Sequence, residues 1–492
     1  MSKSKKLKIL MAAAEVSPLA KVGGLADVVG SIAPALQKLK TDTRIIMPLY
    51  GSIDKKSFSL KKTHSNIKVP SGRVMINVNI WEAILPKSKV KIYFIDAPQY
   101  FDQKEVYLKT NNSERFLFFS YAILFILPII NFEPDIIHCH DSHTALIPDI
   151  IKTNNLEYIK NLKTLYTIHN FRYQGKTRPT VLSTGNLNAD LLKSLSIDIK
   201  DGDVNFMVQG VLNADLINTV SPSYAKEIVS SAYGAGLEKI IKRRKNDLFG
   251  ILNGIDTDFF NPAKDKYIYK KYNINTINKK QDNKVALQKE LGLPINKNKA
   301  VVALISRFAW QKGIDLFTDE FLTLDCQFVF LGTGSREYEQ HIQKLAKKYP
   351  KNISANIKFN VELAQKIYAS SDIFLMPSRF EPCGLGQMIS MRYGTVPVVR
   401  ETGGLKDSVK SLNIKKGKNR IYRFSKPVTA TGFSFKKIDE KEFFEALKSA
   451  LYVYYNHPES WRHIQKNCMK KDFSWKSSAK EYLQLYKKIL KK

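Results

Sequence analysis

Residues 21–29 read Lys-Val-Gly-Gly-Leu-Ala-Asp-Val-Val and follow directly on an apolar stretch, residues 7–14. Paired glycines that leave a strand and open a helix let the backbone come close to an anion. The helix N-terminus then presents unpaired N–H groups and partial positive charge to it. A second pair, Gly403-Gly404 in Thr-Gly-Gly-Leu-Lys-Asp, stands behind the apolar run that ends Val396-Pro397-Val398-Val399. One such turn is a common α/β connection. Two of them, one in each half and each followed by an acid, point to two halves that share a phosphorylated ligand.

Other polar clusters also follow apolar runs. His138-Cys139-His140-Asp141-Ser142-His143 has the composition of a metal site, but its acid falls one position early for the H-x-H-x-D-H spacing, and no second His/Asp cluster supplies the remaining ligands. The alternative is a polar strand end whose acid takes a hydroxyl group and whose histidines are structural. Thr167-Ile168-His169-Asn170 ends a further strand. Two polar strand ends in sequence suit a sugar, which needs many short, fixed donors and acceptors. In the second half, Ser306-Arg307 and Lys312 put two cations near a helix start. Such cations stabilise the charge that develops on a diphosphate leaving group, although in isolation they also read as surface residues after a strand. Leu331-Gly332-Thr333-Gly334-Ser335 is a weaker glycine turn. Arg379-Phe380-Glu381-Pro382-Cys383-Gly384-Leu385 makes a rigid turn in which Glu381 could orient sugar hydroxyls. No histidine adjoins Cys383, so its reading is packing rather than nucleophilic attack.

These residues need a scaffold of strands that end together. The first half alternates strand candidates (7–14, 43–47, 91–95, 135–138, 164–168 and 216–220) with helical stretches such as 26–39 and 115–127. Apolar strands separated by amphipathic helices predict a parallel sheet covered on both faces. Between about 264 and 282 the chain turns rich in Lys, Asn and Tyr, which puts a boundary just before, near Asn253-Gly254-Ile255-Asp256. A second series follows, with strands at 300–305, 327–331, 357–359, 373–376 and 396–399 and helices at 336–348 and 361–369. The tail, 475–490, has the spacing of a final amphipathic helix. The division is therefore 1–254, 255–474 and a C-terminal helix, 475–492, that packs back on the first domain. The fold class is α/β, with two Rossmann-like doubly wound parallel-sheet domains and a ligand expected in the cleft between them.

Composition narrows the field. A chain of 492 residues suits two domains of roughly 200 to 250 residues. Hydrophobic residues at 44% and charged residues at 25% describe a globular protein rather than a disordered one. The four cysteines are scattered with no CxxC pair, which fits a reduced, cytoplasmic compartment. The start, Ser-Lys-Ser-Lys-Lys, runs straight into the first strand and reads as leaving no room for a signal or transit peptide. The longest apolar run, 116–130, carries Pro128 and falls short of the roughly 20 residues a membrane span needs, so it reads as a buried helix. The formal charge of +33 is mostly lysine spread along the chain, without a dense basic helix. It reads as solvated faces that help attract an anionic small molecule, not as a nucleic-acid footprint.

The run from Lys21 to Val28 resembles the Lys-Thr-Gly-Gly-Leu-Ala-Asp-Val signature of bacterial glycogen synthases and plant starch synthases. The likeness continues through 138–143, 167–175, 219–225, 250–256, 306–313, 377–385, 392–405 and Asp472-Phe473-Ser474-Trp475. It implies the GT-B fold and transfer of glucose from ADP-glucose to the non-reducing end of an α-1,4-glucan, with retained configuration. No cofactor or metal is implied. The resemblance assigns Lys21, Arg307 and Lys312 to the diphosphate, with backbone donors from Gly23, Gly24 and the turn Thr402, Gly403, Gly404 and Leu405. Asp141, His169 and Glu381 match glucose-side residues, with Cys383, Gly384 and Leu385 as neighbours. Asp27 and Tyr107 match the acceptor side, and Phe359 stands where a tyrosine often lies near the adenine. With no carboxylate nucleophile evident, front-face transfer is the expected mechanism.

Departures concern the acceptor side and loops. Val22 replaces threonine, Ser142 replaces tryptophan, Ser335 stands for Asp, and Gly386 for Thr or Asn. The segment 176–203 lacks the family's Gly-Leu-Glu-Phe stretch, and a lysine common near Met207 is missing. Alternatives are a retaining GT-B enzyme using UDP-glucose or a non-glucan acceptor, and a catalytically weak glucan-binding protein. Nucleic acid and membrane are not expected partners, and the sequence leaves oligomeric state undefined.

Overall fold

A computed structural model of the chain describes residues 6–154, 156–416, 422–425 and 427–492. The lysine-rich start lies outside these residues as far as Lys5. By their contacts the residues divide into two compact units, Met1–Gly254 with Trp475–Lys492, and Ile255–Ser474.

The first unit is built on a nine-stranded sheet. Its spatial order is Leu248–Gly250, Leu216–Thr219, Lys163–Ile168, Ile136–His140, Lys8–Ala12, Asp42–Pro48, Lys91–Asp96, Val74–Ile84 and Lys61–Ser71. All pairs from Leu248–Gly250 to Lys91–Asp96 are parallel. The expectation of a wholly parallel sheet needs correction at one edge. The hairpin Lys61–Ser71/Val74–Ile84 adds two antiparallel strands that carry much exposed and polar surface. From Lys8–Ala12 the chain moves to one side of the sheet, and from Ile136–His140 it moves to the other. The carboxyl ends of these two neighbours flank the switch point, where an open α/β sheet has its ligand crevice.

Every residue of Ile136–His140 is buried. Side chains alternate along a strand, so His138 and His140 share a face with Cys139 opposite. The C-terminal helix, Trp475–Ile489, buries Trp475, Ala479, Tyr482, Tyr486 and Ile489 at three- and four-residue spacing, which makes one face. That face joins the core of the first unit, against Gly24–Lys38 and Lys163–Ile168. The apolar run at 116–130 lies in the helix Asn112–Ile126, which is buried nearly all round. Among the described residues, no helix is long and apolar enough to cross a membrane.

The second unit has a six-stranded, wholly parallel sheet in the order Ile353–Ile357, Cys326–Gly332, Ala300–Ile305, Ile373–Met376, Val396–Arg400 and Phe433–Phe435. Here the connections diverge between Ala300–Ile305 and Ile373–Met376. The strand expected at 357–359 is shifted: it spans Ile353–Ile357, and Phe359 stands beyond its end.

Candidate active site

In the first unit the polar groups gather just past the two switch-point strands. Ala13 and Ala14 follow Lys8–Ala12, and next comes Glu15, which is buried. Its Oε2 accepts the N–H groups of Val22 (2.6 Å) and Gly23 (2.8 Å). The hydroxyl of Tyr107 donates to its Oε1. The glycine turn therefore already holds an anion, a carboxylate of its own chain, and the donor expected of Gly23 is engaged. Gly24 begins the helix Gly24–Lys38 and is exposed, and no acceptor holds its N–H among the described residues.

A methyl group built on Gly24 meets nothing within 4 Å. Alanine at this position should leave folding intact and favour the helix by roughly 0.5–1 kcal/mol. If the open space exists for a ligand to approach the backbone, Gly24→Ala should keep the melting temperature while KM for the donor rises about tenfold. Unchanged kinetics would remove Gly24 from the site.

Lys21 and Asp27 pair at 2.8 Å, with side chains 47% and 35% exposed. An exposed pair of this kind is worth about 0–1 kcal/mol and parts readily for a stronger partner. Tyr107 is held at both ends, with its hydroxyl on Glu15 and its ring stacked on His143 at 5.0 Å. The preceding carbonyl, of Val106, accepts from the buried Arg115.

Asp141 follows Ile136–His140 at φ +52°, a conformation that costs a residue with a side chain of order 1–3 kcal/mol. Its N–H donates to the Thr167 carbonyl, and its Oδ1 accepts the N–H of His169 at 2.7 Å. Burial pushes its carboxyl up to about 7 against those backbone hydrogen bonds, and the charge of Glu15 adds to the rise. Asp141 and His169 thus sit on adjacent strand ends, joined through the backbone. The His169 ring meets His140 at 3.0 Å, and burial pushes its pKa down to about 3, which keeps it neutral.

In the second unit Arg307 and Lys312 follow Ala300–Ile305, and the Glu381 turn follows Ile373–Met376. Lys312 Nζ lies 2.6 Å from Glu381 Oε2, with side chains 19% and 8% exposed. Ser378 Oγ donates to the same oxygen at 2.9 Å. Arg307 is exposed and makes no ion pair among the described residues. Arg379 forks onto Asp315 at 2.6 and 2.7 Å. The turn is pinned from beneath by Arg400, whose guanidinium donates to the carbonyls of Ser378 and Arg379.

The Thr402 turn packs against the Glu381 turn. Gly404 donates to the Glu381 carbonyl at 3.1 Å, and Leu405 donates to Thr402 at 3.0 Å. Two of the donors expected there are therefore engaged, one in joining the two turns and one within its own turn. Cys383 and Gly384 lie inside this contact: Cys383 is buried as a free thiol, and Gly384 adopts φ +72°. Leu385 precedes the helix Gly386–Arg392. Phe359 is 84% exposed, past the end of the sheet's edge strand, and makes no ring contact among the described residues.

Each unit thus brings its own candidates together: Lys21, Gly23, Gly24, Asp27, Tyr107, Asp141 and His169 in one, Arg307, Lys312, Glu381, Cys383, Gly384, Leu385 and Thr402–Gly404 in the other. Phe359 stands apart from its set. Reading the sequence missed Glu15, Arg115 and Arg400. Glu15 carried a usable signal, an acid placed immediately after the first apolar run. No group of three or more His, Cys, Asp or Glu could hold a metal ion among the described residues. His138 and His140 are spent on hydrogen bonds within the unit. Met207, where a lysine was missed, is fully buried in the helix Phe206–Asn213.

Comparison with known proteins covers the whole chain. A starch synthase catalytic domain model matches residues 8–243, and a model for glycosyl transferases group 1 matches residues 288–462. A glycogen synthase of Thermotoga maritima is 45% identical over 495 residues, covering 99% of both chains. One of Thermosipho melanesiensis is 41% identical over 491 residues, covering 99% of this chain and 100% of the relative. The catalytic domain of starch synthase IV from Arabidopsis thaliana, bound to ADP and acarbose, has a similar structure. Its TM-score is 0.88 at 32% identity, covering 99% of this chain and 100% of that one. Sucrose-phosphate synthase from Thermosynechococcus elongatus shares the fold at a TM-score of 0.61 and 17% identity, covering 99% and 100%.

Proposed function

This chain belongs to the glycogen synthase and starch synthase family of glycosyltransferases, and we propose that it transfers glucose from ADP-glucose to the non-reducing end of an α-1,4-glucan. The observation that carries the reading is the gathering of Lys312, Glu381 and Arg307 at a topological switch point. A sheet of this kind receives its ligand there.

In this reading Lys21, Arg307 and Lys312 meet the charge of the diphosphate, with the N-terminus of Gly24–Lys38, and no metal is required. Asp141, His169 and Glu381 hold glucose hydroxyls, beside Cys383, Gly384 and Leu385. Asp27 and Tyr107 face the acceptor, and Phe359 offers a ring to the adenine. The bond from glucose C1 to the β-phosphate oxygen breaks, and its electron pair leaves on the phosphate. The acceptor's 4-hydroxyl oxygen bonds to C1 from the same face, and its proton passes to the departing phosphate oxygen. Configuration is retained without a covalent intermediate. Glu381 gives one carboxylate oxygen to Lys312 and Ser378, and Asp141 gives one to a backbone N–H, so both carboxyls are held in fixed orientations suited to binding hydroxyls. We assign the reaction to the cytoplasm, where its buried free thiols remain reduced.

Purified protein given glycogen and ADP-glucose should release ADP, with EDTA making no difference. UDP-glucose should serve at least tenfold less well. ADP release only with a non-glucan acceptor, or preferential UDP release, would overturn the assignment.

A further inference from the structure

Two loops that follow neighbouring strands of the second unit are laced together. The loop 306–315 follows Ala300–Ile305 and carries Arg307 and Lys312; the loop 377–385 follows Ile373–Met376 and carries Glu381. The backbone N–H of Arg379 donates to the Gln311 carbonyl at 2.8 Å, and Gln311 Nε2 donates back to the Phe380 carbonyl at 3.1 Å. Gly313 turns the first loop at φ +68°, so near the second that a methyl group on it would lie 2.3 Å from the Pro377 carbonyl oxygen. Lys312 stands among these contacts, with its ammonium on Glu381.

The Arg379 guanidinium holds the first loop on both sides of Lys312. Nη1 donates at 2.8 Å to the carbonyl of Trp310, which precedes the lysine, and both terminal nitrogens fork onto Asp315, which follows it. The same Trp310 carbonyl takes the N–H of Gly313 at 3.1 Å and so closes the single turn Trp310–Lys312. The Trp310 ring covers the guanidinium, with 4.7 Å from its centroid to Cζ, and leaves the Arg379 side chain 12% exposed. Shielding from water strengthens both the fork and the contact with the ring. Arg379 is itself anchored, because Arg400 donates to its carbonyl and to that of Ser378. A lysine at this position would bring a point charge, without the planar fork that serves Asp315 and Trp310 together.

We propose that Arg379 is a positioning residue for glucosyl transfer: by gripping Trp310 and Asp315 it fixes the turn from which Lys312 meets the diphosphate. The inference rests on the reading of Lys312 as a cation of the diphosphate. A lysine ammonium ends a flexible four-carbon stem, so its placement depends on a rigid backbone beneath it. A bound diphosphate carries charge on several oxygens and tolerates a displaced ammonium. The transition state gathers new charge on one departing oxygen and needs the cation already in place. Loosening the turn therefore acts on kcat more than on KM.

Arg379→Lys should lower kcat about tenfold, with KM for ADP-glucose within about threefold and KM for glycogen unchanged. Asp315→Asn keeps the Trp310 contact and weakens only the charged fork, so kcat should fall about threefold. In a Lys312→Ala background, Arg379→Lys should cost less than about twofold, because the group it positions is gone. Lys348→Ala removes an exposed ion pair of 2.7 Å with Asp319 in the same unit, and kcat should stay within about twofold of wild type. A loss of full size in the Lys312→Ala background, or an equal loss in Lys348→Ala, would show general loosening and overturn the positioning role. Wild-type kcat in Arg379→Lys would overturn it as well. If the wild type transfers no glucose, the functional reading falls and takes this inference with it. An active wild type with any of the other adverse results removes the inference alone.

Discussion

Lys312→Ala is expected to reduce turnover roughly a hundred- to a thousandfold, the loss typical when one charge-stabilising group is taken from a transition state. It should also destabilise the protein, for a separate reason. Lys312 lies 2.6 Å from Glu381, whose side chain is 8% exposed, and its removal leaves a carboxylate with only Ser378 to answer it. Breaking a buried pair from one side costs about 3–5 kcal/mol; because Lys312 keeps some contact with water, about 2–3 kcal/mol is the expected loss here. The two effects separate in a double variant. Lys312→Met with Glu381→Gln removes both charges, so the melting temperature should recover while turnover stays low. Thermal melts and single-turnover assays on the two variants and the wild type decide the matter. A Lys312→Ala protein that melts early yet turns over within about tenfold of wild type would reduce the lysine to a structural counter-ion.

Gly403→Ala should be worse for the fold than any other glycine substitution in the two turns. Gly403 adopts φ +43°, and a methyl group there would lie 2.0 Å from the Glu381 carbonyl oxygen. At Gly404 it would lie 2.0 Å from the Cys383 carbonyl oxygen. Both obstacles are backbone atoms of the neighbouring turn, which no rotamer change can clear. The turns must part, and with them go the Gly404–Glu381 hydrogen bond and the seat of the Glu381 carboxylate. A loss of about 3–4 kcal/mol is expected, in the range reserved for severe backbone conflict. Differential scanning calorimetry on Gly403→Ala should show the loss, and turnover should fall with it. A melting temperature within about one degree of wild type would mean that the turns are looser than their packing implies. The contrast with Gly24, where a methyl group meets nothing, separates the two glycine pairs that look alike in sequence. One pair is closed by its neighbour; the other is open.

That contrast marks how far the sequence could be read. Continuous apolar runs identify their own strands: residues 300–305 and 373–376 are strands over those bounds. The hairpin Lys61–Ser71/Val74–Ile84 escapes notice because most of its first strand is polar and exposed. Its signal was the alternation of Ile76, Val78 and Ile80, buried with outward residues between, after a turn at Gly72. Residues 357–359 mislead because Ile357 and Phe359 look like one apolar run, whereas Ile357 closes the strand and Phe359 is exposed past it. Motifs place Lys312 and Glu381 at the ends of two neighbouring strands, but not their direct pairing. Glu15 stayed hidden because a glycine turn prompts a search for cations nearby, and the carboxylate that caps it comes from the strand before. The contact between His138 and Tyr486 spans 348 positions, and no local pattern reports it.

The return of the last helix to the first unit has a consequence for how the polypeptide is made. Domains fold as units, beginning with the N-terminal one during synthesis. Here the strands of the first unit leave the ribosome early, yet Tyr482, Tyr486 and the apolar face of Trp475–Ile489 emerge only after the whole of the second unit. Until then the Nδ1 of His138 waits without its partner, and part of the sheet's helical cover is missing. The second unit, Ile255–Ser474, is complete in sequence before the first. The unit that starts to fold first is therefore finished last, and a nascent chain stalled or truncated before Trp475 should expose an unfinished core to chaperones even with every strand already made.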